Sequence, residues 1–113
     1  MNIKVTFHNM PHSESIEAFA RDKLTKITML FKEDESPFTI EMFLNANKQH
    51  EHHGCELHIK TPHFDLVAHD EDPDMYIVIT KTIDKMVGLA KKEKEKTREK
   101  YSRVENEKRK FYK

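Results

Sequence analysis

The sequence reads as a two-layer α+β domain of order β-α-β-β-β-α, a four-stranded sheet with two helices on one face. Three observations predict it. Four short runs alternate apolar and polar residues, as half-buried strands do, and two longer stretches repeat apolar residues every three or four positions, as amphipathic helices do. The 113 residues are enough for one modest core and too few for two. Two apolar helix stripes laid on one apolar sheet face close that core.

The first run, residues 2–8, sets Ile3, Val5 and Phe7 on one face and Lys4, Thr6 and His8 on the other. Pro11 breaks it. Ser13 can then cap a helix, with Glu14 and Glu17 near its positive N-terminal end. Ile16, Phe19, Ala20, Leu24, Ile27 and Phe31 share one stripe, so residues 14–32 form the first helix. Lys26 lies at the edge of that stripe. Lys23 falls inside it and must snorkel, with its methylenes on the core and its ammonium in water. An acidic, turn-like segment follows at 33–37.

Phe38, Ile40, Met42, Leu44 and Ala46 form one face of the second strand. Cys55, Leu57 and Ile59 do so in the third, which Pro62 ends, and Phe64, Leu66 and Ala68 in the fourth. Short links between these three runs imply antiparallel pairing. The connection from Lys48 to Gly54 is polar, and Gly54 can supply the positive φ of a hairpin. Asp70-Glu71-Asp72-Pro73-Asp74 reads as a helix start, with proline in the first turn. Tyr76, Ile79, Ile83, Met86, Val87 and Ala90 give the second helix its apolar stripe. Beyond Ala90 the stripe ends while helix-favouring Lys, Glu and Arg continue, so this helix outruns the body that anchors it. The expected division is a body over 1–100 and a charged, mobile tail over 101–113.

Twenty basic and twenty acidic side chains cancel, but unevenly along the chain. Residues 1–80 hold seven basic and fourteen acidic groups, residues 81–113 thirteen and six. On the second helix Lys81, Lys85, Lys92, Lys96 and Arg103 share a narrow stripe opposite the apolar one. Lys91, Lys94, Arg98 and Lys100 broaden it. A rod docked by one face and cationic on the other suits phosphates, because each one neutralised releases counterions. The alternative is a solvated face that keeps the domain soluble, or one that pairs with a partner protein's helix. The latter needs an apolar seam past Ala90, where Tyr101, Val104 and Phe111 are the residues on offer.

Other chemistries are poorly supplied. Two glycines cannot build a phosphate-cradling loop, and Cys55 sits at an inward strand position. The expectation is no enzyme, no cofactor and no small-molecule substrate. His50, His52, His53, Cys55 and His58 are close in sequence, yet Cys55 and His58 fall on opposite strand faces and no Cys-x-x-Cys pair exists, so no metal site is expected. Eight histidines would make the domain more cationic below pH about 6.5 and tighten anion binding. No apolar run nears the ~20 residues that cross a bilayer. The opening Met1-Asn2-Ile3-Lys4 lacks a signal peptide's apolar stretch. One cysteine suits a reducing compartment. A soluble cytoplasmic domain is expected.

Asp74-Met75-Tyr76, then Ile79, then Ile83-Asp84-Lys85, then the alternating Lys92-Glu93-Lys94-Glu95-Lys96 resemble the ribosome hibernation promoting factor and ribosome-associated inhibitor family, also called sigma-54 modulation proteins. Asn9, Phe19, Lys23, Lys26 and Phe31 support the resemblance, which covers residues 1 to about 100. It implies a fold likened to the double-stranded-RNA-binding domain. It also implies a monomeric factor that binds the small ribosomal subunit at the decoding region and inhibits translation under stress or in stationary phase. Carried over by position, Lys23, Lys26, Lys85, Lys92, Lys94, Lys96 and Arg98 would meet ribosomal RNA, and the charge stripe adds Lys81. Tyr76 and Met75 would pack the helix. Thr80 stands where the family usually has aspartate, and Gly88 where a larger residue is common. The chain resembles the short members, without the second, dimerising domain of the long ones. A minimal short member helps ribosomes pair; one with an extended tail fills the messenger path and opposes pairing. Lys108-Arg109-Lys110 beside Phe111-Tyr112 would suit the second role.

Overall fold

The computed structural model describes residues 2–31, 38–46 and 52–111, with side chains up to residue 96. The elements are β1 (Asn2–His8), α1 (Glu14–Leu30), β2 (Thr39–Ala46), β3 (His53–Lys60), β4 (Asp65–Asp72) and α2 (Met75–Phe111). The sheet runs β1-β2-β3-β4. β1 pairs with β2 in parallel, as a strand-helix-strand crossover through α1 requires, and the other two pairings are antiparallel. α2 packs on β3 and β4, and α1 on β1 and α2. The acidic segment 33–37 and residues 48–51 of the polar connection lie outside the described residues.

The alternations set the core. Ile40, Met42, Leu44, Cys55, Leu57, Ile59 and Ala68 are buried from the sheet. Ala20, Leu24, Ile27 and Phe31 meet them from α1, and Met75, Val78, Ile79, Ile83, Met86 and Ala90 from α2. Phe31 lies between the rings of Phe38 and Phe64, at 5.5 and 5.8 Å. Ser13 caps α1 as expected, its Oγ accepting from the Ile16 N–H at 3.3 Å. Asn9 leaves β1 at φ 59, a left-handed conformation that asparagine tolerates, and its Nδ2 donates to Asn45 Oδ1 at 2.9 Å. The β3–β4 turn closes on Thr61, whose Oγ1 accepts from the His63 and Phe64 N–H groups at 3.1 and 3.0 Å.

Two expectations need correction. Gly54 is not a hairpin residue: no glycine has a positive φ, and Gly54 lies within β3, paired with Asn45. Nor do residues 70–72 begin a helix. β4 continues through Asp70, Glu71 and Asp72, which pair with Cys55, Gly54 and His53. Cross-strand hydrogen bonding extends the strand where composition suggested a helix. Asp74 alone is the cap, its Oδ1 accepting from the Tyr76 and Ile77 N–H groups at 2.8 and 3.2 Å. Pro73 precedes the cap instead of standing in the first turn.

Asp74→Ala should cost about 1 kcal/mol, the worth of a good N-cap. A Cβ at Gly88 would meet nothing within 4 Å. Gly88→Ala should therefore stabilise by roughly 0.5–1 kcal/mol through helix propensity. Urea unfolding monitored by circular dichroism measures both.

Candidate nucleic-acid interface

The buried stripe of α2 ends at Ala90, and among the described residues beyond it, up to Lys96, none is buried. The helix backbone continues to Phe111. At ~1.5 Å per residue, the helix backbone past Ala90 is roughly 30 Å long, and the molecule's longest dimension is 66 Å.

The lysines divide into groups. Lys81 and Lys85 lie along the flank of α2 that faces β4. The Lys85 ammonium is 3.1 Å from Asp70 and donates to the His69 carbonyl at 3.2 Å. The Lys81 ammonium is 3.4 Å from Asp72 and 3.7 Å from Asp70. Lys92 has no partner among the described residues. Lys96 is 3.8 Å from Glu93, one helical turn away.

On the opposite flank, Lys94 donates to the Leu30 carbonyl at the C-terminal end of α1. That end has no basic residue in its own last turn, so Lys94 supplies the cation its dipole favours. Lys26 is 3.8 Å from Asp84 of α2. Lys23 snorkels as expected, its Nζ 5.5 Å from the centre of the Phe19 ring. Phe19 meets Tyr76 edge-on at 4.9 Å, so Tyr76 packs although 43% exposed. The side chain of Arg98 lies outside the described residues, as do those of 101–113.

The partners Asp70 and Asp72 escaped the sequence reading. Their signal was available: extending the period-two phase of Phe64, Leu66 and Ala68 by two more steps puts both carboxylates on the helix side of β4, facing Lys81 and Lys85. The Glu71 N–H donates to Asp70 Oδ1 at 2.8 Å and, with the Lys85 ammonium beside it, holds the Asp70 carboxyl below its ordinary value. Burial pushes the Cys55 thiol up to about 11, leaving it a protonated, packed side chain at neutral pH. Among the described residues, no three His, Cys, Asp or Glu side chains come together as metal ligands. No helix among them is long and apolar enough to cross a membrane.

Sheet, helices and projecting cations together define a two-layer α+β domain with a lysine-lined arm. The model of the sigma 54 modulation protein / S30EA ribosomal protein family matches residues 3–98, and the chain belongs to that family. Its fold is also that of solved structures. The N-terminal domain of Protein Y from Thermus thermophilus superposes with a TM-score of 0.68 at 20% identity, covering 81% of this chain and 98% of that one. A ribosomal subunit interface protein from Coxiella burnetii gives 0.67 at 21% identity, covering 83% and 98%. No curated protein matches the sequence.

Because the folded state lowers the Asp70 pKa, its pairing stabilises the fold above the ordinary carboxylate range near pH 4 and is lost as pH falls through the lowered value. Asp70→Asn should cost up to about 1 kcal/mol at pH 7, and the variant and parent should converge once pH falls below the lowered value. Urea titrations over a falling pH series measure this.

Proposed function

We propose that the chain is a ribosome hibernation factor. It seats on the small ribosomal subunit at the decoding region and inhibits translation under stress or in stationary phase, as a cytoplasmic monomer without catalytic activity. The observation that carries this reading is the family match over 3–98 combined with a lysine-bearing helix whose backbone runs on well past Ala90, the last buried position among the described residues. The Coxiella burnetii protein of the same fold, described as a ribosomal subunit interface protein, supports it.

Lys92 and Lys96, on the part of α2 beyond the core, make the primary contact with ribosomal RNA, and Arg98 extends it. Lys81 and Lys85 join by exchanging Asp70 and Asp72 for phosphates, a trade between anions that costs less than stripping a lysine of water alone. Lys23, Lys26 and Lys94 border the groove between the helices and add positive potential there. Residues 1–100 act as the binding body and 101–113 as a charged tail along the messenger path, where Lys108-Arg109-Lys110 and Phe111-Tyr112 supply cations and stacking rings.

Cosedimentation with small subunits across a salt series tests this. Affinity should fall steeply with salt, and Lys92→Glu with Lys96→Glu should abolish pelleting at moderate salt while leaving the unfolding curve unchanged. Replacing the two by glutamine should flatten the log–log salt slope by about 2, one unit per lost phosphate contact. Pelleting that survives the charge reversal overturns the proposal. Lys85→Glu is the poorer variant, since it sets a carboxylate against Asp70. A truncation after Lys100 with the parent's sucrose-gradient profile would remove the role given to the tail.

A further inference from the structure

The sheet face turned away from the helices is uncovered, and at one end it sinks into a hollow of about 480 Å³. Gly54 is its floor. The absent side chain leaves room that a Cβ would enter with one contact, Asn45 Cβ at 4.0 Å. Phe43 forms a wall, with the His8 ring stacked on it at 5.9 Å and 21° and the His58 ring edge-on at 5.5 Å and 79°. Glu56, in register with Phe43 and 3.4 Å from the His58 ring, and Glu71, in register with Gly54, line it together with His69 and Asp70. No lysine or arginine is among the residues that line the hollow.

We propose that this hollow docks an arginine side chain carried on an extended, basic peptide segment of a protein partner. Charge complementarity chooses the occupant. A guanidinium is planar, so it can lie against the Phe43 ring while its N–H fork reaches a carboxylate, two interactions that reinforce each other in one pocket. Phosphates would meet Glu56 and Glu71 with no lining lysine or arginine, and only the imidazoles of His8, His58 and His69, to offset them, so nucleic acid is the disfavoured occupant. The molecule then has two surfaces of opposite preference, the cationic arm for RNA and the sheet hollow for a basic peptide. The hollow needs no ribosome to be tested, so its failure leaves the reading of the arm untouched.

The test uses the full chain, labelled with nitrogen-15, and follows amide shifts during titration with the peptide acetyl-Gly-Arg-Gly-Arg-Gly-amide. Saturable shifts are expected at Phe43, Gly54 and Glu71. Glu56→Gln with Glu71→Gln keeps the shape and removes the charge. Gly54→Val fills the floor with a residue suited to a strand. Each variant should weaken peptide binding about tenfold or more while the α2 amides stay in place. Three results overturn the proposal: peptide shifts that survive the charge-neutral variant, an eight-residue oligouridine moving these amides in place of the peptide, or the same amides shifting on simple concentration of the protein, which would assign the hollow to a second copy of the chain.

Discussion

Burial of the α2 stripe against β3 and β4 is the constraint from which the rest of the molecule follows. Met75 through Ala90 are held because burying those side chains offsets the conformational entropy lost in fixing the helix. Past Ala90 no side chain among the described residues is buried, and the helix persists through its own backbone hydrogen bonds and the propensity of its Lys, Glu and Arg residues. The same helix is therefore wall at one end and arm at the other. Where the apolar stripe stops decides which lysines lie over the sheet and which lie beyond it.

Charge is sorted by that boundary. Lys81 and Lys85, over the sheet, lie beside the carboxylates of β4, and Lys94 beside the end of α1. Lys92, past the boundary, has no such counterpart among the described residues. Each exposed pair contributes little to stability, so their larger consequence is the potential around the molecule. Cations over the body are masked at short range by the β4 carboxylates. A net positive field begins where the helix leaves it, since Lys91, Lys92, Lys94 and Lys96 outnumber Glu93 and Glu95.

Most of the fold was legible because period and burial agree. The β2 alternation from Phe38 to Ala46, the α1 stripe from Ile16 to Phe31 and the Ser13 cap all lie where the sequence places them. Legibility failed where composition and pairing disagree. Asp70-Glu71-Asp72 has the makeup of a helix start, yet β3 supplies the hydrogen bonds that keep it a strand. Gly54 has the makeup of a turn, yet its neighbours are strand partners. Both errors hid a surface: the first concealed the carboxylates that hold Lys81 and Lys85, and the second the hollow on the open face. Local composition cannot report a partner that lies far away along the chain, and the ladder that decides these positions is such a partner.

Lys94 gives the arm a further property. Its ammonium bridges the root of the projecting helix to the Leu30 carbonyl at the end of α1, as a stay braces a mast, and Lys26 with Asp84 adds a second, looser line lower down. A braced mast keeps its bearing. On meeting a rigid target it surrenders less orientational freedom than a swinging one, so more of the attraction survives as affinity.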